Sequence, residues 1–341
     1  MRIDVSIVPV HHQNEWIAAI RELRSDVFSR PSWGIAAAEV SGGSAVLAVA
    51  HVDTQCLAAL PLLVRSIDSG GFDVTSPYGY PGLCPRPNIC SSMLAQSLQA
   101  ICAELAKRGF VSCFIRCNPL VESVLDLGVG QVVHHGATVS VSLAKSLPTR
   151  LSELASGHRY EIRRTASAGV TVRLVDSVEC WKAFQCLYED AMRRLNAPSW
   201  YQWSQAHWKQ LRLMADAGDA SLLMSFNGSE PLGGALFLHS PGTGIVHYHL
   251  AAASRIHPKL QPGKLLLWEA QQHFREAGYE VLHLGGGFGG KADSLFQFKA
   301  GFAPERHPFF TRRVILDESV YRSLSGAAQT DFFPAYRAPR A

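Results

Sequence analysis

The sequence contains no uninterrupted apolar run of the roughly 18 residues that a membrane-spanning helix needs. Its first ten residues, MRIDVSIVPV, also lack the long apolar region and the small-residue cleavage site of a secretory signal. Together these absences predict a cytoplasmic protein that does not span a membrane.

The excess of one charge sign is small, with 32 Lys and Arg against 28 Asp and Glu, or a net charge of +4 over 341 residues. Such a balance excludes the strongly basic surface of a protein that coats nucleic acid, so no DNA partner is expected. It remains compatible with a localised site for an anionic ligand. With 47% hydrophobic and 18% charged residues, the composition is that of a folded chain.

Paired cysteine motifs are missing as well. None of the eight cysteines forms a C-x-x-C pair or joins a histidine spacing typical of zinc sites. They occur at positions 56, 84, 90, 102, 113, 117, 180 and 186. We therefore expect reduced, mostly buried thiols, no metal site and no bound cofactor.

The length predicts two domains, and a repeated order of elements supports this division. In each half, a hairpin is followed by an amphipathic helix, a glycine and a strand. The helices are predicted at 91–108 and 264–277, and they end at Gly109 and Gly278, which are 169 residues apart (278 − 109). We place the boundary at Pro148, which gives domains at 1–148 and 149–325 and a loosely ordered tail at 326–341.

A glycine-rich loop from Gly285 to Gly290 follows the last predicted strand. Its spacing fits a P-loop as far as Lys291, but Ala292 stands where the serine or threonine that holds magnesium should be. The spacing also fits a dinucleotide fingerprint, although no further βαβ half or ribose-binding carboxylate follows. We therefore reject both nucleotide motifs.

Several segments in both halves of the chain form a distinctive set. They are His158–Arg164 with Gly169 and Val170, Tyr248–Leu250 with Ala252, Leu265–Ala270, Leu284–Gly286, Ser294–Phe302, the aromatic-glycine loop Ser76–Gly82, and Phe28 with Pro31–Trp33. The most specific piece is the F-K-x-G-F context at 298–302. In these segments the chain resembles the FemABX family, whose members build peptidoglycan cross-bridges from aminoacyl-tRNA, and its relatives in polysaccharide gene clusters.

The resemblance implies an α/β (α+β) fold of two tandem GNAT-like units, which is the acyl-CoA N-acyltransferase fold. Each unit should have a mixed, mostly antiparallel sheet flanked by helices, with the active site in the second unit. Two departures from the expected patterns concern the acyl donor. The chain has no counterpart of the coiled-coil arm of some members, and Lys259–Lys264 keeps the acyl-CoA pyrophosphate motif of ordinary GNAT enzymes poorly.

Lys299 is the predicted catalytic residue. The resemblance implies that the matching lysine stabilises the transition state and that the adjacent ring, here Phe298, guides it. A fixed cation suits this task because attack of an amine on an ester carbonyl creates an oxyanion. The alternative is a lysine that snorkels from a strand edge.

Further residues are predicted to bind substrate. Arginine matches phosphate oxygens with forked donors, and two arginines spaced i and i+4 share one face of a predicted helix, although such faces are often merely solvated. Tyrosines in the aromatic loop could stack on a sugar or a base, or simply pack a turn. The candidates are Arg159, Arg163, Tyr78, Tyr80, Tyr248, Gly285 and Gly286. Arg164 belongs to the same helical cluster as Arg159 and Arg163, and Arg193 and Arg194, beside the aromatic loop Trp200–Tyr201, are weaker candidates. His247 and His249 are candidate bases or structural histidines.

These observations predict an enzyme that moves an aminoacyl or acyl group onto an amine of a peptidoglycan or envelope-polysaccharide precursor. Aminoacyl-tRNA is favoured over acyl-CoA as the co-substrate. The expected partners are a lipid-linked or nucleotide-linked envelope precursor and the acceptor end of tRNA, with peripheral membrane contact left open. The alternatives are an acyl-CoA-dependent sugar N-acyltransferase and a non-catalytic protein that binds envelope intermediates.

Overall fold

The computed structural model describes residues 2–121, 126–198, 201–326 and 330–338. The chain forms two compact units. The first comprises Met1–His135 and Pro308–Ala341, and the second comprises Gly136–His307.

The first unit contains strands β1 to β6 and β13 and helices α1 to α3 and α10. Their bounds are β1 Asp4–Pro9, α1 Gln13–Arg21, α2 Pro31–Ser41, β2 Ser44–Val52, β3 Gln55–Ser66, β4 Phe72–Thr75, β5 Cys84–Pro85, α3 Ser91–Lys107, β6 Phe110–Arg116, β13 Arg306–Ile315 and α10 Glu318–Ser325.

The second unit contains most of β7, then β8 to β12 and α4 to α9. Their bounds are β7 Gln131–Ser142, α4 Leu147–Glu153, α5 Ser156–Ser167, β8 Val170–Val175, α6 Val178–Arg194, α7 Gln205–Asp216, β9 Ala220–Asn227, β10 Glu230–Ser240, β11 Ile245–Ala253, α8 Pro262–Glu276, β12 Val281–Gly285 and α9 Ser294–Ala300.

The two units have the same strand order. In the first unit the order is β1-β2-β3-β4-β6-β13, and among the described residues only the β4–β6 pair is parallel. In the second unit the order is β8-β9-β10-β11-β12-β7, and of the strand pairs in its described part only β11–β12 is parallel. The predicted repeat of hairpin, helix and strand is therefore present in the fold.

The repeated helices are amphipathic, as the sequence pattern predicts. Helix α3 buries Leu98, Ile101 and Leu105 against its sheet, and the equivalent α8 buries Ala270 and Phe274. The glycines after these helices, at 109 and 278, adopt left-handed φ angles of 82° and 88°. Glycine reaches this conformation without the steric cost of a Cβ, so both helices end in the same way.

The division of the chain differs from the predicted boundary at Pro148. The second unit begins at Gly136 because β7, which precedes that proline, pairs with β12. It ends at His307 because β13 pairs with β6 of the first unit. Each sheet is thus completed by a strand from outside the predicted domain, and hydrophobic periodicity does not reveal a strand's partner.

The prediction of a loose tail also needs correction. The Tyr336 hydroxyl and the Arg337 Nε donate hydrogen bonds to Asp73 at 3.0 and 2.6 Å. Asp73 is fully buried in the first unit, so these bonds fix the tail there as far as it is described. Phe333 also stacks on Tyr321, with 5.8 Å between ring centroids.

Candidate active site

Two parallel strands diverge in the middle of the second unit. Strands β11 and β12 pair from Ile245 and Val281 to His247 and His283, and then β11 continues alone to Ala253. A register shift in the neighbouring β10–β11 pair accompanies this divergence. The end of β12 and the second half of β11 therefore leave an opening between them.

A cleft of about 530 Å³ lies beside this opening. Its walls come from β10, β11, the end of α6, the start of α8 and the ring of Phe298. Small side chains on the two strands leave the space: Gly234, Ala235, Ala251, Ala252 and Ala253. Tyr248, a predicted binding residue, lines the same cleft, and burial raises the pKa of its hydroxyl.

Lys299 lies near the end of α9, and its side chain is only 8% exposed. Its Nζ donates a hydrogen bond of 2.7 Å to the carbonyl of Gly286, which directly follows β12. Burial lowers the pKa of Lys299 to about 8, although the nearby Asp293 carboxylate acts in the opposite direction. The snorkelling alternative is wrong, because the residue is buried and helical.

Asp293 fixes the glycine loop against α9. Its carboxylate accepts hydrogen bonds from the backbone N–H groups of Phe296 and Phe288, both at 2.9 Å. A Cβ at Gly287 would lie 2.4 Å from that carboxylate, so this close approach requires glycine. Because Asp293 already occupies the start of α9, a bound phosphate there would meet a negative charge, which supports rejection of a P-loop.

Helix α5 holds α9 in place through His158. The Nε2 atom of His158 lies 2.8 Å from the Phe298 carbonyl, and its ring packs edge-on against Phe302 at 4.8 Å. Gly301 permits this contact, because a Cβ there would lie 2.6 Å from the imidazole. These contacts explain how the F-K-x-G-F segment presents Phe298 to the cleft and Lys299 to the end of β12.

The two candidate bases are both close to other histidines. The Nδ1 atoms of His247 and His283 are 3.0 Å apart, so one ring donates and the other accepts. Burial, together with the nearby His207 and His247, lowers the pKa of His249 to about 3. A group with such a pKa accepts protons poorly at neutral pH, which disfavours His249 as a general base.

The predicted arginines lie on α5 in the second unit. Arg159 donates a hydrogen bond of 3.2 Å from Nη2 to the carbonyl of Leu154. Arg163 is exposed, and in the described part of the chain it has neither a hydrogen bond nor an ion pair. Phosphate binding by these residues stays a prediction, as does substrate binding by Gly285 and Gly286.

The predicted tyrosines belong to the first unit. The Trp33 indole donates a hydrogen bond of 2.9 Å to the Tyr78 carbonyl, and the Tyr80 ring lies 5.9 Å from that of Phe28. The structure therefore assembles the candidate residues in two places, with Lys299, Phe298 and Tyr248 in the second unit. Trp200, of the aromatic loop beside the weaker candidates Arg193 and Arg194, lies outside the described residues.

Sequence reasoning missed two polar residues that the structure makes prominent: His283 and Asp293. Asp293 could have been found, because an aspartate followed by Ser-Leu-Phe has the pattern of a helix N-cap. In the described ranges, no group of three or more His, Cys, Asp or Glu side chains is arranged to hold a metal ion. No helix of those ranges is long and apolar enough to cross a membrane.

Residues 153–299 match the family model of the acetyltransferase (GNAT) domain. None of the curated proteins is significantly similar to the chain in sequence. Among solved structures, FemX superposes with a TM-score of 0.68 at 14% identity, covering 95% of this chain and 100% of that chain.

Two further structures share the fold. The C-terminal domain of a putative lysylphosphatidylglycerol synthetase from Agrobacterium fabrum gives a TM-score of 0.57 at 14% identity, covering 91% of this chain and 92% of that chain. L-PGS from Bacillus licheniformis gives 0.58 at 13% identity, with 91% and 94% coverage. The predicted fold of two tandem GNAT-like units is thereby confirmed, and so is the resemblance to the FemABX proteins at the level of fold.

Proposed function

We propose that this chain, an acyltransferase of the GNAT fold, transfers an aminoacyl or acyl group from an activated ester to an amine of a cell-envelope precursor. The observation that carries the proposal is the buried ammonium of Lys299 beside the diverging strands β11 and β12. The names of two similar structures, FemX and a putative lysylphosphatidylglycerol synthetase, support an envelope-related substrate.

The chemistry follows from the position of the charge. The neutral amine of the acceptor attacks the carbonyl carbon of the donor, and a C–N bond forms as the carbonyl oxygen becomes an oxyanion. The Lys299 ammonium stabilises this oxygen in a site from which water is largely excluded. The ester C–O bond then breaks, the amine loses a proton, and the departing oxygen gains one. Phe298, the residue before Lys299, lines the cleft.

The start of α8 favours aminoacyl-tRNA as the donor. The matching segment of ordinary GNAT enzymes carries the acyl-CoA pyrophosphate motif, and the start of a helix binds phosphate through its free backbone N–H groups. Here the Gln261 N–H is already bonded to the Thr165 hydroxyl at 3.0 Å, and Pro262 has no N–H. Lys264 forms an ion pair with Glu161. Few hydrogen-bond donors therefore remain there for a pyrophosphate. An aminoacyl ester, which has no pyrophosphate, does not require them.

An acyl-CoA donor is the second candidate, because the cleft does reach the start of α8 at Gly263 and Lys264. Both candidates can be tested in one experiment. The purified chain is incubated with an envelope-precursor extract and either charged total tRNA or a panel of acyl-CoA esters, and label transfer is followed by mass spectrometry. We expect transfer from charged tRNA.

The Lys299→Met variant should lose transfer, and the matched control Lys291→Met should keep it, because Lys291 is exposed in the glycine loop. Transfer only from acyl-CoA would select the second candidate. Precursor binding without transfer from any donor would contradict both candidates and favour the binding protein.

A further inference from the structure

We propose that His247 and His283 act as one acid–base pair, which takes the proton from the acceptor amine and returns it to the departing oxygen of the donor. The inference rests on the acyl transfer proposed above and deepens it, because that reaction needs a proton carrier. Lys299 cannot serve as one, since an ammonium group has no lone pair to accept a proton. The inference is carried by the position of the two imidazoles, their shared hydrogen bond and the charge beside them.

The two histidines lie at the point where strands β11 and β12 separate. They form the last register pair of the described parallel ladder, after which β11 continues alone beside the opening. Register partners project to the same face of a sheet, and successive residues project to opposite faces. The preceding residues Val246 and Leu282 share a core cluster with Leu267 of α8. Both imidazoles therefore adjoin the opening from the face that α8 does not cover.

The shared hydrogen bond prepares the pair for one additional proton. Because the Nδ1 atoms are 3.0 Å apart, one ring of the neutral pair donates its Nδ1 proton to the other ring. A proton accepted at the Nε2 of the donating ring would make that ring an imidazolium, and a charge-assisted hydrogen bond is about twice as strong as a neutral one. The side chains of His247 and His283 are only 2% and 1% exposed, so the low local dielectric strengthens this bond.

The Lys299 ammonium controls when the pair can accept a proton. Burial, together with His247, Lys299 and His307, lowers the pKa of His283 well below its ordinary value. The resting pair is therefore neutral at pH 7, as a base must be. When the oxyanion forms beside Lys299, its negative charge offsets the ammonium. The proton affinity of the pair then rises at the moment when the amine nitrogen becomes acidic.

Other polar groups on this face come from neighbouring strands and from α7. Ser140 of β7 is the register partner of His283 on its other side, and its hydroxyl lies 2.7 Å from the Nε2 of His307 on β13. His249 follows on β11, with His207 of α7 near it. Since His307 is partly exposed, the row from His307 through Ser140 to His283 connects the pair with solvent.

Two further charged groups lie near these elements. The Asp293 carboxylate acts on Lys299 and raises its proton affinity, although burial still lowers the pKa of this lysine to about 8. Arg194 of α6 donates a hydrogen bond of 3.1 Å to the carbonyl of Ala253, at the opposite end of β11 from the pair. Lys299 thus supplies a full positive charge beside His283 at pH 7.

The proton balance of the reaction closes through the pair. As the amine nitrogen bonds to the carbonyl carbon it becomes cationic, and one of its protons passes to the Nε2 of the donating ring. The ester C–O bond then breaks with its electron pair on the departing oxygen, and that oxygen takes the proton from the imidazolium. The pair returns to its neutral form, Lys299 keeps its proton throughout, and no outside acid or base is consumed.

His283→Asn and His247→Asn test the proposal, because an Asn amide can take the position of Nδ1 and keep a hydrogen bond but cannot carry the proton. With the donor that the wild type uses, kcat should fall by about 10² to 10⁴, while KM for both substrates changes less than about threefold. A merely structural pair would keep its activity in these conservative variants. The matched control is His239→Asn, which replaces a buried histidine that packs against Phe274 of α8 on the other face of the sheet and should keep kcat.

The outcomes separate the two proposals. Wild-type kcat in either folded pair variant would overturn the acid–base role and leave the acyl transfer standing. If the wild type transfers from no donor, the proposed function falls and this inference falls with it.

A second measurement requires neither activity nor a histidine variant. Heteronuclear NMR of the histidine side chains follows protonation of the pair in the full chain. Lys299→Met removes one cause of the lowered pKa of His283, so the pair should take up its proton at a higher pH than in the wild type. Lys291→Met, which alters an exposed lysine of the glycine loop, should leave the titration unchanged. The same titration of the pair in Lys299→Met and in the wild type would overturn the proposal.

Discussion

Lys299→Met separates the catalytic role of the lysine from any structural one, because the structure predicts opposite effects on activity and stability. A buried ammonium that meets the oxyanion only in the transition state should affect kcat and leave KM for both substrates nearly unchanged. Loss of one such donor typically costs about 2.7 to 4 kcal/mol, or roughly 10² to 10³ in kcat. Met keeps much of the apolar stem, so packing is preserved.

The same substitution should not lower the free energy of unfolding at pH 7. Burial lowers the pKa of Lys299 from 10.5 to about 8. At about 1.4 kcal/mol for each pH unit, keeping the charge buried at pH 7 costs on the order of 3 kcal/mol. Removing the ammonium relieves this cost but leaves the Gly286 carbonyl unpaired, which costs about 1 to 3 kcal/mol. The variant should therefore be at least as stable as the wild type at pH 7.

The pH dependence gives a second readout. Between pH 8 and pH 10.5 the unfolded wild type binds more protons than the folded protein, so its stability rises with pH across this window. The variant lacks this gain, so the difference in free energy of unfolding between the variant and the wild type should shrink by about 2 kcal/mol between pH 7 and pH 10. Urea unfolding at the two pH values measures this difference, and kcat is measured in parallel. Wild-type turnover in the folded variant, or a stability difference that does not change with pH, would refute this reasoning.

Two further substitutions test the packing around the sites. Gly301→Ala should destabilise the chain by about 1 to 3 kcal/mol, because its Cβ would enter the ring of His158. Thermal unfolding measures this loss, and Gly157→Ala, whose Cβ meets nothing within 4 Å, should be neutral or slightly stabilising. Asp73→Asn should cost about 3 to 5 kcal/mol and expose the C-terminal segment to limited proteolysis, because it removes a buried charge from two arginines. Asp216→Asn breaks an exposed pair and should change stability by less than about 1 kcal/mol.

Local sequence patterns predicted the repeated helices, but they did not predict which strands pair with each other. The amphipathic spacing of α3 and α8, and the glycines at 109 and 278, predicted both helices and their ends to within about two residues. The partners of β7 and β13 could not be predicted in this way, because an alternating strand pattern states which face is buried and not which strand lies beside it. The predicted boundary at Pro148 failed for that reason.

In the candidate site, too, residues of one short motif could be predicted and contacts between distant segments could not. Lys299 and Phe298 could be proposed because they share one short motif with a known family. The contact of His247 with His283, by contrast, joins strands 36 residues apart, and no spacing in the sequence reports it.

The placement of β13 has a consequence for synthesis on the ribosome. The second unit is one continuous stretch, Gly136–His307, so it can finish folding as soon as that stretch has emerged. The first unit begins to emerge earlier but waits for residues 308 onward before β6 gains its outer neighbour. The part of the chain that is made first is therefore completed last, and during that delay the nascent protein carries an open strand edge of the kind that chaperones cover.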